Sequence, residues 1–259
     1  MKKARHFLTL ALAAVLVLGS QVVAPRASYA LGFDAQTDNN IQAQLTNNLK
    51  KYKDVQVSVS NGIVDLEGTV PDFATKEEID KRAHRTKNVV AVRNNLKIAG
   101  AGEISDAQLQ QKIVGKLQYD RVGYGNAFNA ISVNVQDGVV TLAGNALGPV
   151  AADSAVSLVS HTPGVQDVID NIQVDPLSPM DNQTRMAVYR AVYGFPSLNK
   201  YAIDPAQPIR ITVVNGNVTL NGVVLSQADK DTAGIRANSV PGVFKVTNDL
   251  QVANPSNEK

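Results

Sequence analysis

Apolar and polar residues alternate with a period of two in three separated places: Val55, Val57 and Val59; Ile131, Val133 and Val135; Ile209, Ile211 and Val213. Behind these runs come Asn61-Gly62, Asp137-Gly138 and Asn215-Gly216, and then a second alternation carrying Val64 and Leu66, Val140 and Leu142, or Val218 and Leu220. Asx-Gly between two alternating runs predicts a two-residue hairpin, because both residues of a type I′ turn take positive φ and its twist matches the flanking strands. The glycines Gly62, Gly138 and Gly216 meet that demand without steric cost. They lie 76 and 78 residues apart, so the chain is an internal repeat of three units.

Helical periodicity fills the intervals. Ile41, Leu45 and Leu49 recur as Leu109, Ile113 and Leu117, then as Thr184, Val188 and Val192, which puts an apolar stripe on one face of a helix ahead of each hairpin. Asp38, Asp106 and Asp181 are expected to be the N-caps of these helices. A second helix is opened by Asp72, by Gly148-Pro149 and by Ser226 with Asp229. It stops near Pro163-Gly164 and Pro241-Gly242, and at Lys87-Asn88 in the first unit. A last strand follows, with Val92, Leu96 and Ile98 matching Val168, Ile172 and Val174, then Val246, Leu250 and Val252.

Each unit therefore reads helix, strand, strand, helix, strand: a small α+β domain with two helices on one face of a three-stranded mixed sheet. The hairpin is antiparallel, and the helical crossover makes the last strand parallel to the one before it. The domains are expected at 37–99, 104–175 and 180–253, followed by a frayed tail at 254–259. The first linker holds Gly100 and Gly102 and the second Pro176 and Pro179, so the second is expected to be stiffer.

Residues 1–30 differ in kind. Lys2, Lys3 and Arg5 precede an apolar run from Phe7 to Gly19, and Ser28-Tyr29-Ala30 offers small residues for cleavage. This is the pattern of a secretory signal peptide, cleaved near Ala30 to leave a periplasmic or secreted chain. The leader holds four bases and no acid, which leaves 21 bases against 23 acids in the rest. The pI near 8.7 thus belongs to the leader, and a nucleic-acid partner, which needs a basic stripe on the folded part, is not expected. With no cysteine in the chain there is no disulfide framework and no thiolate chemistry.

The repeat, with its Asx-Gly, Val-x-Leu-x-Gly, Pro-Gly-Val and Val-x-Asx-x-Leu/Ile-x-Val, resembles the BON domain family. The third unit carries it most fully, as Asn215-Gly216-Asn217-Val218-Thr219-Leu220-Asn221-Gly222 and Pro241-Gly242-Val243; the first unit lacks the Pro-Gly pair. The resemblance implies a periplasmic setting and a role in binding phospholipid membranes. Two departures stand out. The chain has three such units where the osmotic-stress members have two, and the span from first-helix Asp to hairpin Gly grows from 24 residues to 32 and 35.

The longer spans hold Tyr119, Tyr124 and Phe128 in the second unit and Tyr193, Phe195 and Tyr201 in the third, six of the eleven aromatics beyond the leader. Such rings suit a headgroup boundary or a partner surface, and equally the small core that a long connection needs. Charge is uneven: residues 31–100 hold 10 bases and 9 acids, 101–175 hold 3 and 8, and 176–259 hold 8 and 6. In the first unit Lys50, Lys51 and Lys53 end one helix, while Lys81, Arg82, Arg85 and Lys87 surround the end of the other. Bases so placed attract anionic headgroups by about 1 kcal/mol each, although helix ends also favour solvated bases for their own sake.

Catalysis has no support. His84 and His161 stand alone, Asp65 and Glu67 alternate on an outward strand face, and Gly123-Tyr124-Gly125 lacks the third glycine of a dinucleotide loop. The expectation is a non-enzymatic envelope protein without cofactor or metal, binding phospholipid surfaces or envelope partners in osmotic or envelope stress. The alternative is a soluble periplasmic chaperone or adaptor that holds extended or apolar segments at its sheet edges.

Overall fold

In each unit the Asx-Gly pair sits at the tip of a hairpin with positive φ at both positions: 52° and 73° at Asn61-Gly62, 52° and 74° at Asp137-Gly138, 50° and 72° at Asn215-Gly216. This fixes the register, with Val59 opposite Val64, Val135 opposite Val140 and Val213 opposite Val218. The protein is described by a computed structural model over residues 34–120, 127–203 and 209–253. The leader, Tyr124 and the tail from 254 lie outside the described residues.

The first unit runs α1 (Ala35–Asn48), β1 (Val55–Ser60), β2 (Ile63–Val70), α2 (Phe73–His84), β3 (Ala91–Asn94) and β4 (Lys97–Ile98). The second runs α3 (Asp106–Asp120), β5 (Ala130–Gln136), β6 (Val139–Ala146), α4 (Pro149–Ser160) and β7 (Asp167–Val174). The third runs α5 (Pro179–Tyr193), α6 (Lys200–Ile203), β8 (Arg210–Val214), β9 (Asn217–Asn221), β10 (Val223–Val224), α7 (Gln227–Asn238), β11 (Lys245–Asn248) and β12 (Gln251–Val252). The sheets are mixed, as the hairpin-plus-crossover pattern predicts. The second hairpin strand is central, antiparallel to the first and parallel to the last, in the orders β1-β2-β3, β5-β6-β7 and β8-β9-β11.

The expected stripes form the cores. Ile41, Leu45 and Leu49 meet Val64, Leu66 and Ile79; Leu109 and Ile113 meet Val140, Leu142 and Val159; Val188 and Val192 meet Val218 and Leu220. Each fully buried Leu or Ile stabilises its domain by about 1.5–3 kcal/mol. In the first and third units the last strand breaks at Asn94 and Asn248. Their side chains accept from Leu96 N and Leu250 N and donate to Asp80 and to the carbonyl of Lys230. In the second unit Asp170 accepts from Ile172 N and the strand runs on unbroken.

One local expectation fails in an informative way. Asp38, Asp106 and Asp181 lie within the first helical turn and are not the caps. Asp34 and Ser178 cap α1 and α5, and Ser105 exchanges capping-box bonds with Gln108 at the start of α3. The three aspartates reach across to the hairpin instead. Each carboxylate takes both backbone N–H groups of the turn: Asn61 and Gly62 at 2.7 and 2.8 Å, Asp137 and Gly138 at 2.7 and 3.0 Å, Asn215 and Gly216 at 2.9 and 2.8 Å. Asp near a helix start usually serves its own helix; here a neighbouring residue does that, which frees the carboxylate for the turn.

The units are joined unequally. Phe73, half-buried, packs against both the first and the second cores. Phe128 and Ala127, from the insertion of the second unit, are buried in the core of the third. There the Phe128 ring meets Tyr189 edge-on at 5.8 Å and lies 5.9 Å from the Arg185 guanidinium, while Arg210 donates to the carbonyl of Ile131 at 3.2 Å.

Candidate functional site

The seven candidate bases at the helix ends of the first unit do not present a uniform cationic face. Lys51, Arg82 and the Tyr52 hydroxyl all converge on Glu78, at 3.3, 2.6 and 2.6 Å, which ties the segment just beyond α1 to the middle of α2. The Tyr52 hydroxyl and Arg82 hold the Glu78 carboxyl down at about 2. Lys81 pairs with Glu77 one turn earlier on the same helix. Lys50, Lys53, Arg85 and Lys87 are exposed and make no ion pair among the described residues. The base cluster thus divides into three residues tied to their own carboxylates and four left to solvent.

The insertion aromatics divide more sharply. Phe128, Tyr193 and Tyr201 are buried and Phe195 packs half-buried on the third core, so none of these four faces solvent as an interface ring would. The Tyr193 hydroxyl donates to the carbonyl of Ile209, and burial pushes its phenol up. Tyr201 donates to Asp229 and accepts from Leu225 N, and Lys200 joins Asp229 at 2.8 Å. Burial works against the Asp229 carboxylate, but Lys200, Tyr201 and Ser226 outweigh it and hold its pKa below the ordinary value. The insertion of the third unit is therefore stitched to its own domain by buried polar bonds, the reason a long connection becomes a small core. Tyr119 is 66% exposed and remains available, and Tyr124 lies outside the described residues.

An exposed aromatic that periodicity did not single out is Phe244. Its backbone N–H bonds Gly216 O at 2.9 Å, its ring lies over the hairpin turn, and it is 82% exposed. Met180, beside the turn-clamping Asp181, is 75% exposed. The signal was present in the alignment of units: after Asn88-Val89, Gly164-Val165 and Gly242-Val243 come Val90, Gln166 and Phe244, and only the third is a ring.

The sheet edges are less open than alternation suggests. Gln42 Nε2 donates to Val57 O at 3.2 Å, Gln110 Nε2 to Val133 O at 3.0 Å, and Arg185 Nη2 to Val213 O at 2.9 Å. In each unit a first-helix side chain thus occupies a carbonyl of the hairpin's outer strand, which an added strand would have to displace. Asp65, on the same strand face as Glu67, pairs across the sheet with Arg93 at 3.3 Å. His84 and His161 each turn Nδ1 toward the carbonyl four residues earlier, at 3.1 and 2.8 Å. Among the described residues no group of three or more metal-ligating side chains assembles, and no helix is long and apolar enough to cross a membrane.

A family model for the BON domain matches residues 34–100, 105–176 and 197–254. Over 132 residues the chain is 31% identical to the osmotically-inducible protein Y of Escherichia coli (strain K12), an alignment covering 47% of this chain and 61% of that protein. The chain thus spans less than two thirds of the length of that relative. Two solved structures of CdsD, a structural protein of the type III secretion system of Chlamydia trachomatis, are also similar. One has 16% identity over 83% of this chain and 92% of the other, with a TM-score of 0.24; the second, of the C-terminal domain, has 15% over 82% and 96%, with a TM-score of 0.24.

Proposed function

The chain belongs to the BON domain family, and on that premise we propose that it is an exported, non-enzymatic envelope protein of osmotic stress whose domains dock on phospholipid surfaces. The leader would be removed near Ala30, leaving a periplasmic or secreted protein with domains at 37–99, 104–175 and 180–253. The third domain is taken from 180 because α5 supplies Asp181, the clamp of its hairpin. The stress setting rests on the likeness to the osmotically-inducible relative.

The observation that carries the membrane reading is the set of bases without carboxylate partners at the ends of α1 and α2, Lys50, Lys53 and Lys87 foremost. Bases held near an anionic surface contribute about 1 kcal/mol each, and linked domains add weak contacts through effective concentration. Phe244 supplies an apolar contact from the third domain, on a turn made rigid by Asp181. The second domain, with 3 bases and 8 acids over residues 101–175, is repelled by the same surface, so the protein would lie on it unevenly. Strand addition, the mechanism of a chaperone reading, is opposed by the Gln42, Gln110 and Arg185 bonds to the outer strands.

Co-sedimentation with anionic and neutral vesicles across a salt series tests this. The expected result is anionic-selective binding that fades as salt rises, weakened at least about tenfold by Lys50→Gln, Lys53→Gln and Lys87→Gln together. Phe244→Ser is expected to weaken binding by an amount that does not depend on salt. Absence of binding to anionic vesicles at low salt overturns the proposal.

A further inference from the structure

Between the first and second domains, α2 faces α4 and the start of β7 across a groove of about 930 Å³. The wall from the first domain carries Lys81, Arg82 and Arg85 beside Glu77 and Glu78; the wall from the second carries Asp153, Asp167 and Asp170 beside the imidazole of His161. Opposite charges facing each other would be expected to pair, yet among the described residues no ion pair crosses. Lys81 and Arg82 are answered within α2 by Glu77 and Glu78, which leaves Arg85 as the free base of its wall. Asp167 and Asp170 are fixed in place by accepting the backbone N–H groups of Val168 and Ile172, at 2.7 and 2.9 Å, and Asp153 is exposed on α4. Between the walls lie Phe73 and Val156, and Ser160, 8% exposed, lines the groove; among the described residues its hydroxyl makes no hydrogen bond.

We propose that this groove binds a small zwitterion, with its anionic end at Arg85 and its cationic end at Asp153 and Asp170, and its short apolar span over Phe73 and Val156. A simple anion would meet three carboxylates on the opposite wall, and a simple cation would leave Arg85 unanswered. A ligand carrying both charges satisfies both walls, and the free Ser160 hydroxyl adds a neutral hydrogen bond. The volume falls in the range of small-molecule sites. The matching chemistry is an amine joined by a short carbon chain to a phosphate or carboxylate, met either as a free solute or as a zwitterionic lipid headgroup. The site goes beyond the surface-charge reading, since Lys50, Lys53 and Lys87 take no part in it.

The test titrates the full three-domain protein with phosphorylethanolamine while following amide chemical shifts. Parallel titrations use inorganic phosphate alone and ethanolamine alone, and an arm of phosphatidylethanolamine vesicles separates the lipid source from the free one. The expected result is saturable shifts on both walls, Ser160 included, with phosphate or ethanolamine alone at least about tenfold weaker. Arg85→Gln and Asp153→Asn, both at exposed positions, each lower the affinity about tenfold or more. Lys50→Gln with Lys53→Gln and Lys87→Gln leaves it unchanged, so the groove can fail while the vesicle reading stands, and the reverse. Ethanolamine binding as tightly as the zwitterion, or binding indifferent to both wall substitutions, overturns the proposal.

Discussion

At the junction of the second and third domains, Phe128 of one domain is a buried residue in the core of the next; at the junction of the first and second, Phe73 is only half-buried and charged walls stand apart across a groove. The two joints connect copies of one fold, so the difference comes from what each copy adds to the shared frame. The second unit lengthens its connection into β5, and that length lets a ring cross to the neighbour. The contacts that join these domains, Ala127 and Phe128 in the third core and Arg210 on the carbonyl of Ile131, are made by residues remote from the Pro-bearing linker. Junction two also buries charge. Asp175 and Arg185 are each 2% exposed, and burial pushes Asp175 up and Arg185 down. Junction one keeps its charges in water, where they can meet ligands.

The strongest way to break the contrast is Phe128→Ala. It should destabilise the third domain, to which the residue does not belong in sequence, by about 3–5 kcal/mol. Denaturant unfolding with hydrogen exchange resolved by domain checks this, and a loss confined to the second domain would contradict the packing. Next come the turn clamps. Asp181→Ala should cost about 2 kcal/mol, since Asp181 is itself buried and its loss strands the N–H of Gly216, whereas Asp38→Ala should cost less because Asp38 is only half-buried and water can enter the place it leaves. Equal losses in the two unfolding curves would argue against a dry third domain and a wet first one. At junction one, Phe73→Ala should cost only about 1 kcal/mol, and scattering should report a freer first domain while domains two and three keep their mutual arrangement.

The smallest effect separates the domains by pH. Glu78 has its folded pKa held at about 2, below its ordinary 4.5. A carboxyl depressed in the folded state stabilises above its unfolded pKa, and that contribution disappears as pH falls from about 4.5 through about 2. Because Glu78 lies at the surface, the loss is modest. Thermal melts of Glu78→Gln beside the parent protein should differ at neutral pH and converge near pH 2; parallel curves would show that the Tyr52, Lys51 and Arg82 cluster does not couple to folding.

What the sequence determined is the set of features that neighbours along the chain decide among themselves. Asn61-Gly62 and its two counterparts required a type I′ turn, the alternating valines required one buried strand face, and Asp72 and Ser226 required helix starts. Each follows from dihedral preference or from a hydrogen bond spanning a few residues, so one unit could be read and recognised in the next. Which strand is central, and that Asp38, Asp106 and Asp181 hold the turn rather than their own helices, depended on partners 23 to 35 residues away. Phe128 and Tyr201 carry the composition of interface rings, and only the packed chain decided that they are core. Lys51 and Arg82 look like free bases until Glu78 is placed between them. Burial and charge pairing depend on distance in space, and spacing along the sequence does not encode that distance once the chain has folded back on itself.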